Sequence, residues 1–409
     1  MTRLSFPKDR IRVVLLEGVH ERAHAMFGEH GYDNVTLEAK ALERDELRHA
    51  VADARLLGIR SRTHVDAALL ASAPRLLAIG CFCLGTDQVD LDAAARAGVP
   101  VFHAPHANTR SVAELVLGFA VMLLRRVFPK STRAHEGAWD KSARGCHELR
   151  GKTLGIVGYG HIGSQVSILA EAFGMRVLFH DIAPRLPLGN ARPLGSLAEV
   201  LGQSDVVTLH VPDTEQTRGL VGAPELALMR EDAYLINTSR GLVVDDEALA
   251  RRLREGRLAG AAVDVFPREP RAPGERFESP LQGIHEVILT PHVGGSTVEA
   301  QETIAGEVAR KLIDYSDLGT TTGAVNFPEL GLTPHEGCSR VLHVHENRPG
   351  VLRQVNRVFA DKGVNIHGEH LQTRDGVGYV VIDVDPVDKA AILPDLRAIE
   401  GTIRARILY

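Results

Sequence analysis

The chain has 409 residues, 44% of them hydrophobic and 24% charged, which excludes a globally disordered, collagen-like or coiled-coil protein. Its 47 Lys+Arg against 52 Asp+Glu leave a formal net charge of -5, so it lacks the basic footprint of a general nucleic-acid binder. At about 150 residues per domain, the length predicts two to three domains. The opening residues, Met1 to Arg10, hold no apolar signal core. Short apolar runs at residues 12–16, 54–59 and 76–80 then alternate with helical spacing at 43–52 and 65–73. Strands alternating with helices predict a parallel sheet covered on both faces, over residues 1–107. A long apolar helix follows from Asn108 to Leu124; Thr109 or Ser111 can cap it, and Glu114 lies three after Ser111, as in a capping box. Its run 115–124 is too short to span a bilayer and ends in Arg125-Arg126.

Residues 151–295 repeat the alternation, with strands expected at 153–157, 175–180, 206–210, 234–237, 260–265 and 286–290. That pattern reads as a second doubly wound unit. Helical spacing over 297–315 returns the chain toward the first unit, and Gly319-Thr320-Thr321-Thr322-Gly323 reads as a linker. The tail, 338–409, reads βαββαβ, the split-βαβ order of a ferredoxin-like α+β domain. A unit of that size buries limited surface, which favours pairing with a second copy. The expected organisation is therefore 1–107 with 297–330, then 108–296, then 338–409. The four cysteines, Cys81, Cys83, Cys146 and Cys338, form no C-x-x-C pair. Neither a disulfide framework nor a structural zinc site is expected, and no metal is predicted.

The strongest chemical signal is Gly158-Tyr159-Gly160-His161-Ile162-Gly163, set between an expected strand and an expected helix. Its glycines let the backbone approach a pyrophosphate, whose charge then lies at a helix N-terminus. Asp181 ends the next strand, where a carboxylate accepts from ribose hydroxyls and repels a 2′-phosphate, so NAD is favoured over NADP. Arg240, Glu269 and His292 each follow an expected strand, at the end where open α/β sheets bind ligands. An Arg can grip a carboxylate bidentately, a His can exchange a hydroxyl proton, and a Glu can orient that His and raise its pKa. Arg60-Ser61-Arg62-Thr63-His64 follows the strand at 54–59 and suits a ligand with two anionic groups, without telling a phosphate from a second carboxylate. Asn108-Thr109-Arg110-Ser111 can add donors. Trp139, the single Trp, reads as a half-buried cap or an interface anchor, with Lys141 beside it facing an anionic site. In the tail, His345-Glu346-Asn347-Arg348-Pro349-Gly350 and Asn365 read from spacing as turn chemistry, although such groups can hold a zwitterion.

Taken together, these stretches resemble the D-isomer-specific 2-hydroxyacid dehydrogenases, in the form with one C-terminal ACT regulatory domain. The resemblance is carried by Gly158–Gly163, Asn237-Thr238-Ser239-Arg240-Gly241, Asp264-Val265-Phe266-Pro267, Thr290-Pro291-His292-Val293-Gly294-Gly295, Arg60-Ser61-Arg62-Thr63 and His345–Gly350. It implies an α/β fold of two doubly wound parallel-sheet (Rossmann-like) domains plus the ACT domain. It implies NAD-dependent oxidation of 3-phospho-D-glycerate to 3-phosphooxypyruvate in the cytoplasm, by a homotetramer with no nucleic-acid or membrane partner. The implied catalytic set is Arg240, Glu269 and His292. The implied NAD contacts are Gly158, Gly160, His161, Ile162, Gly163, Asp181, Thr238, Ser239, Arg240, Asp264, His292, Val293, Gly294 and Gly295. Arg60 and Ser61, with Asn108 and Lys141, are the implied substrate contacts. L-serine is the implied feedback inhibitor, bound between two ACT domains through His345, Asn347 and Asn365. The rival readings are a dehydrogenase for another 2-hydroxy acid such as 2-hydroxyglutarate, a non-catalytic NAD sensor, and a tail that only dimerises.

Overall fold

Continuous apolar runs make the strands of the first sheet, because both faces of a parallel sheet are covered. The structure, a computed structural model, describes residues 7–270, 274–333 and 336–408; Met1 to Phe6 and Tyr409, parts of the opening and closing segments read above, lie outside the described residues. Strands β1 (Val13–Leu15), β2 (Val35–Leu37), β3 (Leu56–Ile59), β4 (Ala78–Cys81) and β5 (Val101–His103) pair in the order β2-β1-β3-β4-β5, all parallel. That is a doubly wound order with its reversal at β1 and β3. The helix Val298–Leu318 packs Val308, Leu312 and Tyr315 into the core beside this sheet.

The second sheet contains β6 (Thr153–Val157), β7 (Arg176–His180), β8 (Arg192–Pro193), β9 (Val206–Leu209), β10 (Tyr234–Asn237), β11 (Gly260–Val263) and β12 (Val287–Leu289). Their order, β12-β11-β10-β9-β6-β7-β8, is the dinucleotide-fold order with one more strand at the far edge. The order reverses between β6 and β9, which opens a ligand crevice at the carboxyl ends of those two strands. The helix Thr109–Leu124 is buried along one face, through Val112, Val116, Ala120 and Leu123.

The tail forms an antiparallel sheet of β13 (Ser339–Glu346), β14 (Ile366–Arg374), β15 (Val377–Val384) and β16 (Thr402–Leu408) in the order β14-β15-β13-β16. Helices Val351–Asp361 and Lys389–Ala398 cover one face through Val355, Phe359, Ile392 and Leu396. The other face joins the core of the first sheet through Leu342, Val344, Tyr379 and Val381. The chain thus divides into two compact units, Met1–Ala107 with Gln301–Tyr409, and Asn108–Ala300.

One local expectation is corrected. The capping box at Ser111 is absent: Asn108 occupies the N-cap, Ser111 Oγ lies 2.8 Å from Thr297 Oγ1, and Glu114 pairs with Arg110. A long-range hydroxyl partner has displaced the local one. Residues 319–323, expected as a linker, carry no helix or strand, but they are packed rather than slack. Thr321 is buried, donating to Pro328 O and accepting from Leu330 N, and Tyr379 Oη donates to Gly319 O at 2.6 Å. Among the described residues, no helix is long and apolar enough to cross a membrane, and no group of three His, Cys, Asp or Glu could hold a metal ion.

Candidate active site

The Gly158–Gly163 turn leaves β6 at the reversal of strand order. Gly158 has φ 91°, and a Cβ there would stand 2.6 Å from His210 O, just past β9. Only glycine meets both demands. A Cβ at Gly163 would strike Gly158 O, whereas nothing lies within 4 Å of the corresponding point at Gly160. Gly160 is the N-cap of the helix His161–Ala172, and no side chain caps that end. Those features fit a pyrophosphate. Asp181, at the end of β7, accepts from Tyr159 N at 2.8 Å and Ala183 N at 2.9 Å. Its carboxylate is thereby held beside the turn, as a ribose-binding acid must be. Arg185 Nε lies 3.3 Å from it.

The next three strand ends converge within the same unit. Past β12, His292 has φ 55°, a left-handed conformation uncommon for a side-chain-bearing residue. Its N–H donates to Asp264 O at 2.9 Å and Thr290 O at 3.0 Å. Asp264, buried past β11, accepts from Thr290 Oγ1 at 2.5 Å, Val293 N at 2.9 Å and Gly294 N at 2.8 Å. One carboxylate therefore fastens the whole loop that carries the imidazole. His292 Nδ1 donates to Glu269 Oε2 at 2.9 Å, which leaves Nε2 for another partner. The hydrogen bond to Glu269 raises the His292 pKa, outweighing the burial that lowers it; the charges of Glu269 and Asp264 add and that of Arg240 opposes. Burial pushes Glu269 up, but the hydrogen bond and charge of His292, Phe266 N–H and Arg240 outweigh it and hold the carboxyl below its ordinary value.

Arg240 is exposed past β10, with Nη1 donating to Ser239 O at 2.8 Å. Asn237 shapes its loop: Oδ1 accepts from Ser239 N and Oγ, and Nδ2 donates to Arg240 O. A Cβ on Gly241 would fall on the Phe266 backbone, so the Arg240 and Glu269 loops touch only because that residue is glycine. Thr238 is buried with Oγ1 unpartnered. Asn108 is buried with its amide against the Gly295 backbone and Oδ1 unpartnered.

The Arg60–Thr63 loop, in the other unit, follows β3. Glu17, at φ 64° after β1, takes three of its backbone donors: Arg60 N at 3.1 Å, Arg62 N at 2.9 Å and Thr63 N at 2.9 Å. Gln88 Nε2 donates to Arg60 O at 2.6 Å. With its backbone so occupied, the loop offers its side chains, and Ser61 and Arg62 are exposed. Glu17, Gln88 and Asn237 were not singled out for any role in the sequence.

Lys141 is exposed beside Asp140, which binds Lys130 and Arg133 instead. Trp139 is 83% exposed, so it is not a half-buried cap. His345 is buried, its Nδ1 3.4 Å from His343 Nδ1, while Asn347 is exposed beside Gly376, to whose carbonyl its N–H donates. Asn365 is exposed at the far end of β15, its N–H donating to Asp385. The stretch from Gly376 to Asp385 spans about 30 Å at 3.4 Å per residue, so one chain does not bring Asn347 and Asn365 together.

A family model described as D-isomer specific 2-hydroxyacid dehydrogenase, NAD binding domain, matches residues 117–294, and one described as AHAS small subunit-like ACT domain matches 341–404. The chain is 53% identical to the D-3-phosphoglycerate dehydrogenase of Haemophilus influenzae over 407 residues, 100% of this chain and 99% of that one. It is 52% identical to the protein of the same name from Escherichia coli K12 over 411 residues, 100% of each. Among solved structures, a D-lactate dehydrogenase from Aquifex aeolicus complexed with NAD and lactic acid aligns with a TM-score of 0.65 at 28% identity, covering 78% of this chain and 100% of that one. The chain belongs to the D-isomer-specific 2-hydroxyacid dehydrogenase family, among the NAD-dependent D-3-phosphoglycerate dehydrogenases.

Proposed function

We propose that the protein oxidises 3-phospho-D-glycerate to 3-phosphooxypyruvate with NAD+, the first step of serine biosynthesis. The observation that carries the reaction type is the His292 Nδ1–Glu269 contact at the ends of β11 and β12, in the unit that holds the Gly158 turn. NAD+ bound at that turn supplies the acceptor for the hydride leaving C2. His292 Nε2 takes the C2 hydroxyl proton, because its Nδ1 proton is committed to Glu269. Glu269 stabilises the imidazolium that results. Arg240 grips the substrate carboxylate and the C2 oxygen, where it polarises the forming carbonyl. Arg60 and Ser61 hold the phosphate, on a loop whose shape Glu17 maintains. Asp181 accepts from the ribose hydroxyls, and Asp264 keeps the His292 to Gly295 loop in place. The names of the full-length relatives support 3-phosphoglycerate over another 2-hydroxy acid.

The tail acts as a regulatory domain that binds L-serine between two copies. β14 is an edge strand with most residues exposed, Leu371 among them, and such an edge accepts a second strand. The distance between Asn347 and Asn365 supports a site built from two chains, with His345 beneath it. We assign the working form as a cytoplasmic homotetramer with separate domains at 1–107 with 297–330, 108–296 and 338–409.

The test follows NADH absorbance with purified protein, NAD+ and 3-phosphoglycerate while product is trapped. Turnover that L-serine suppresses supports both assignments. Turnover indifferent to serine retains the enzyme and removes the serine site. Turnover only with 2-hydroxyglutarate, or NAD binding with none, overturns the substrate assignment.

A further inference from the structure

A cavity of about 470 Å³ lies where the tail packs on the first sheet. Lys8, Arg55, Lys389, Arg397 and Arg406 line it, and Asp317 is the one carboxylate among its described lining residues. Asp317 is already engaged, by Lys8 Nζ at 2.5 Å and Tyr32 Oη at 2.7 Å. Arg406 spends Nη2 on the carbonyls of Tyr315 and Ser316, and its buried Nη1 has no hydrogen-bond partner. Lys389 and Arg397, both from the helix Lys389–Ala398, make no hydrogen bond or ion pair among the described residues.

Like charges gathered where water is thinned repel more strongly than on an open surface, and a buried donor without an acceptor is costly. Burial, then Arg397, Arg55 and Arg406, hold the Lys389 ammonium below its ordinary value. Burial, then Arg406 and Arg75, do the same to Arg55. Arg55, Lys389, Arg397 and Arg406 therefore act on one another, and an anion among them would relieve these four together.

We propose that this seam is a binding site for a small polyvalent anion, an organic phosphate or a polycarboxylate, that bridges the tail to the first sheet. The site is separate from the Arg60–Ser61 loop, because Arg55 precedes β3 and Arg60 follows it, at opposite ends of the strand. Lys8 and Arg55 come from the first sheet's side of the seam, and Lys389, Arg397 and Arg406 from the tail. A bound anion therefore tightens tail docking, and by linkage any ligand that shifts tail docking alters the anion's affinity. The inference is independent of the substrate assignment.

The test is calorimetric titration of the full chain with pyrophosphate and, separately, citrate, at ionic strength held constant with sodium chloride. An Arg60→Ala background silences the substrate phosphate loop. Saturable binding of either probe, weakened about tenfold or more by Lys389→Gln with Arg397→Gln, is the expected result, since each lost cation removes a charge-assisted contact. Pyrophosphate alone binding assigns the site to phosphates, and citrate alone to polycarboxylates. Should the double variant fail to fold, Lys389→Gln alone carries the comparison, with a smaller loss expected. Binding no stronger than chloride, or binding unchanged in the variants, overturns the site.

Discussion

Glu269 decides at what pH His292 can work. In the oxidation direction the imidazole must be neutral to accept a proton. Its raised pKa therefore places the acid limb of kcat/KM above the ordinary histidine value. Glu269→Gln removes the anion that stabilises imidazolium, so the limb should move to lower pH while kcat falls by about 10² or more. A pH–rate profile checks this; an unmoved limb would assign the titration to another group. Glu17 acts on binding instead. Its carboxylate accepts from three backbone N–H groups of the Arg60–Thr63 loop, whereas an amide offers one oxygen and turns its own donors on the rest. Each unmade buried bond costs about 1–3 kcal/mol, so Glu17→Gln should raise KM for 3-phosphoglycerate about tenfold or more. KM for NAD+, held in the other unit, should stay put. Steady-state kinetics in both substrates separate a loop effect from general damage, which would move both constants.

Elements carry their own pH dependence. In the tail sheet, His343 is fully buried in β13 with Nε2 2.9 Å from Thr402 Oγ1, and burial, then His345, lower its pKa to about 4. The unfolded chain protonates that ring below about 6.5, and the folded tail does not until about 4. The stability it contributes is therefore complete above about 6.5 and is lost as pH falls toward 4. Across this window the thermal-unfolding midpoint of the full chain should fall more steeply than that of His343→Gln, because Asp246, raised to about 7 by burial, contributes the opposite slope to both proteins. His210, half-buried past β9 with its Nδ1 atom buried, is lowered to about 3 and adds a slope of the same sign as His343 that the variant leaves in place. Element identity was legible wherever an apolar run was long. β3, β4, β6 and β10 are buried at every residue, and their letters show it. β2 is a partly exposed three-residue edge and β8 is two residues including Pro193, so neither carries enough pattern to be read. The glycine turn, Asp181 and the three strand-end residues were legible because spacing alone puts them at a sheet's carboxyl ends. Glu17 and Asn237 were not, because an acceptor for a loop's backbone looks like any other polar residue until the chain folds. The failed capping box has the same origin: Ser111 found its partner at Thr297, far outside any local window.

At the scale of the whole molecule, the tail is bolted to the first sheet. Arg404 of β16 donates to Leu76 O, just before β4, and to Ala97 O at 3.2 Å, while Arg340, 2% exposed and held by Asp383 within the tail, reaches Leu318 O at 3.2 Å. A tail so anchored can transmit a change in its own pairing to the first sheet. The proposed serine site makes that pairing testable. With Asn347 and Asn365 at opposite ends of β15, a small amino acid reaches both only across two chains. A two-fold pair then holds two equivalent sites, each with Asn347 from one chain and Asn365 from the other. Asn347→Ala and Asn365→Ala, purified separately, should both lose serine inhibition while keeping turnover. In a mixed pair, one site loses both residues and the other keeps both. Co-expressed Asn347→Ala and Asn365→Ala chains, isolated as the mixed species with two affinity tags, should therefore recover partial inhibition. The recovered sites should bind serine with wild-type affinity at half the stoichiometry. A mixed species as insensitive as its parents would mean that one chain supplies the whole site, and the two-chain arrangement would fall with it.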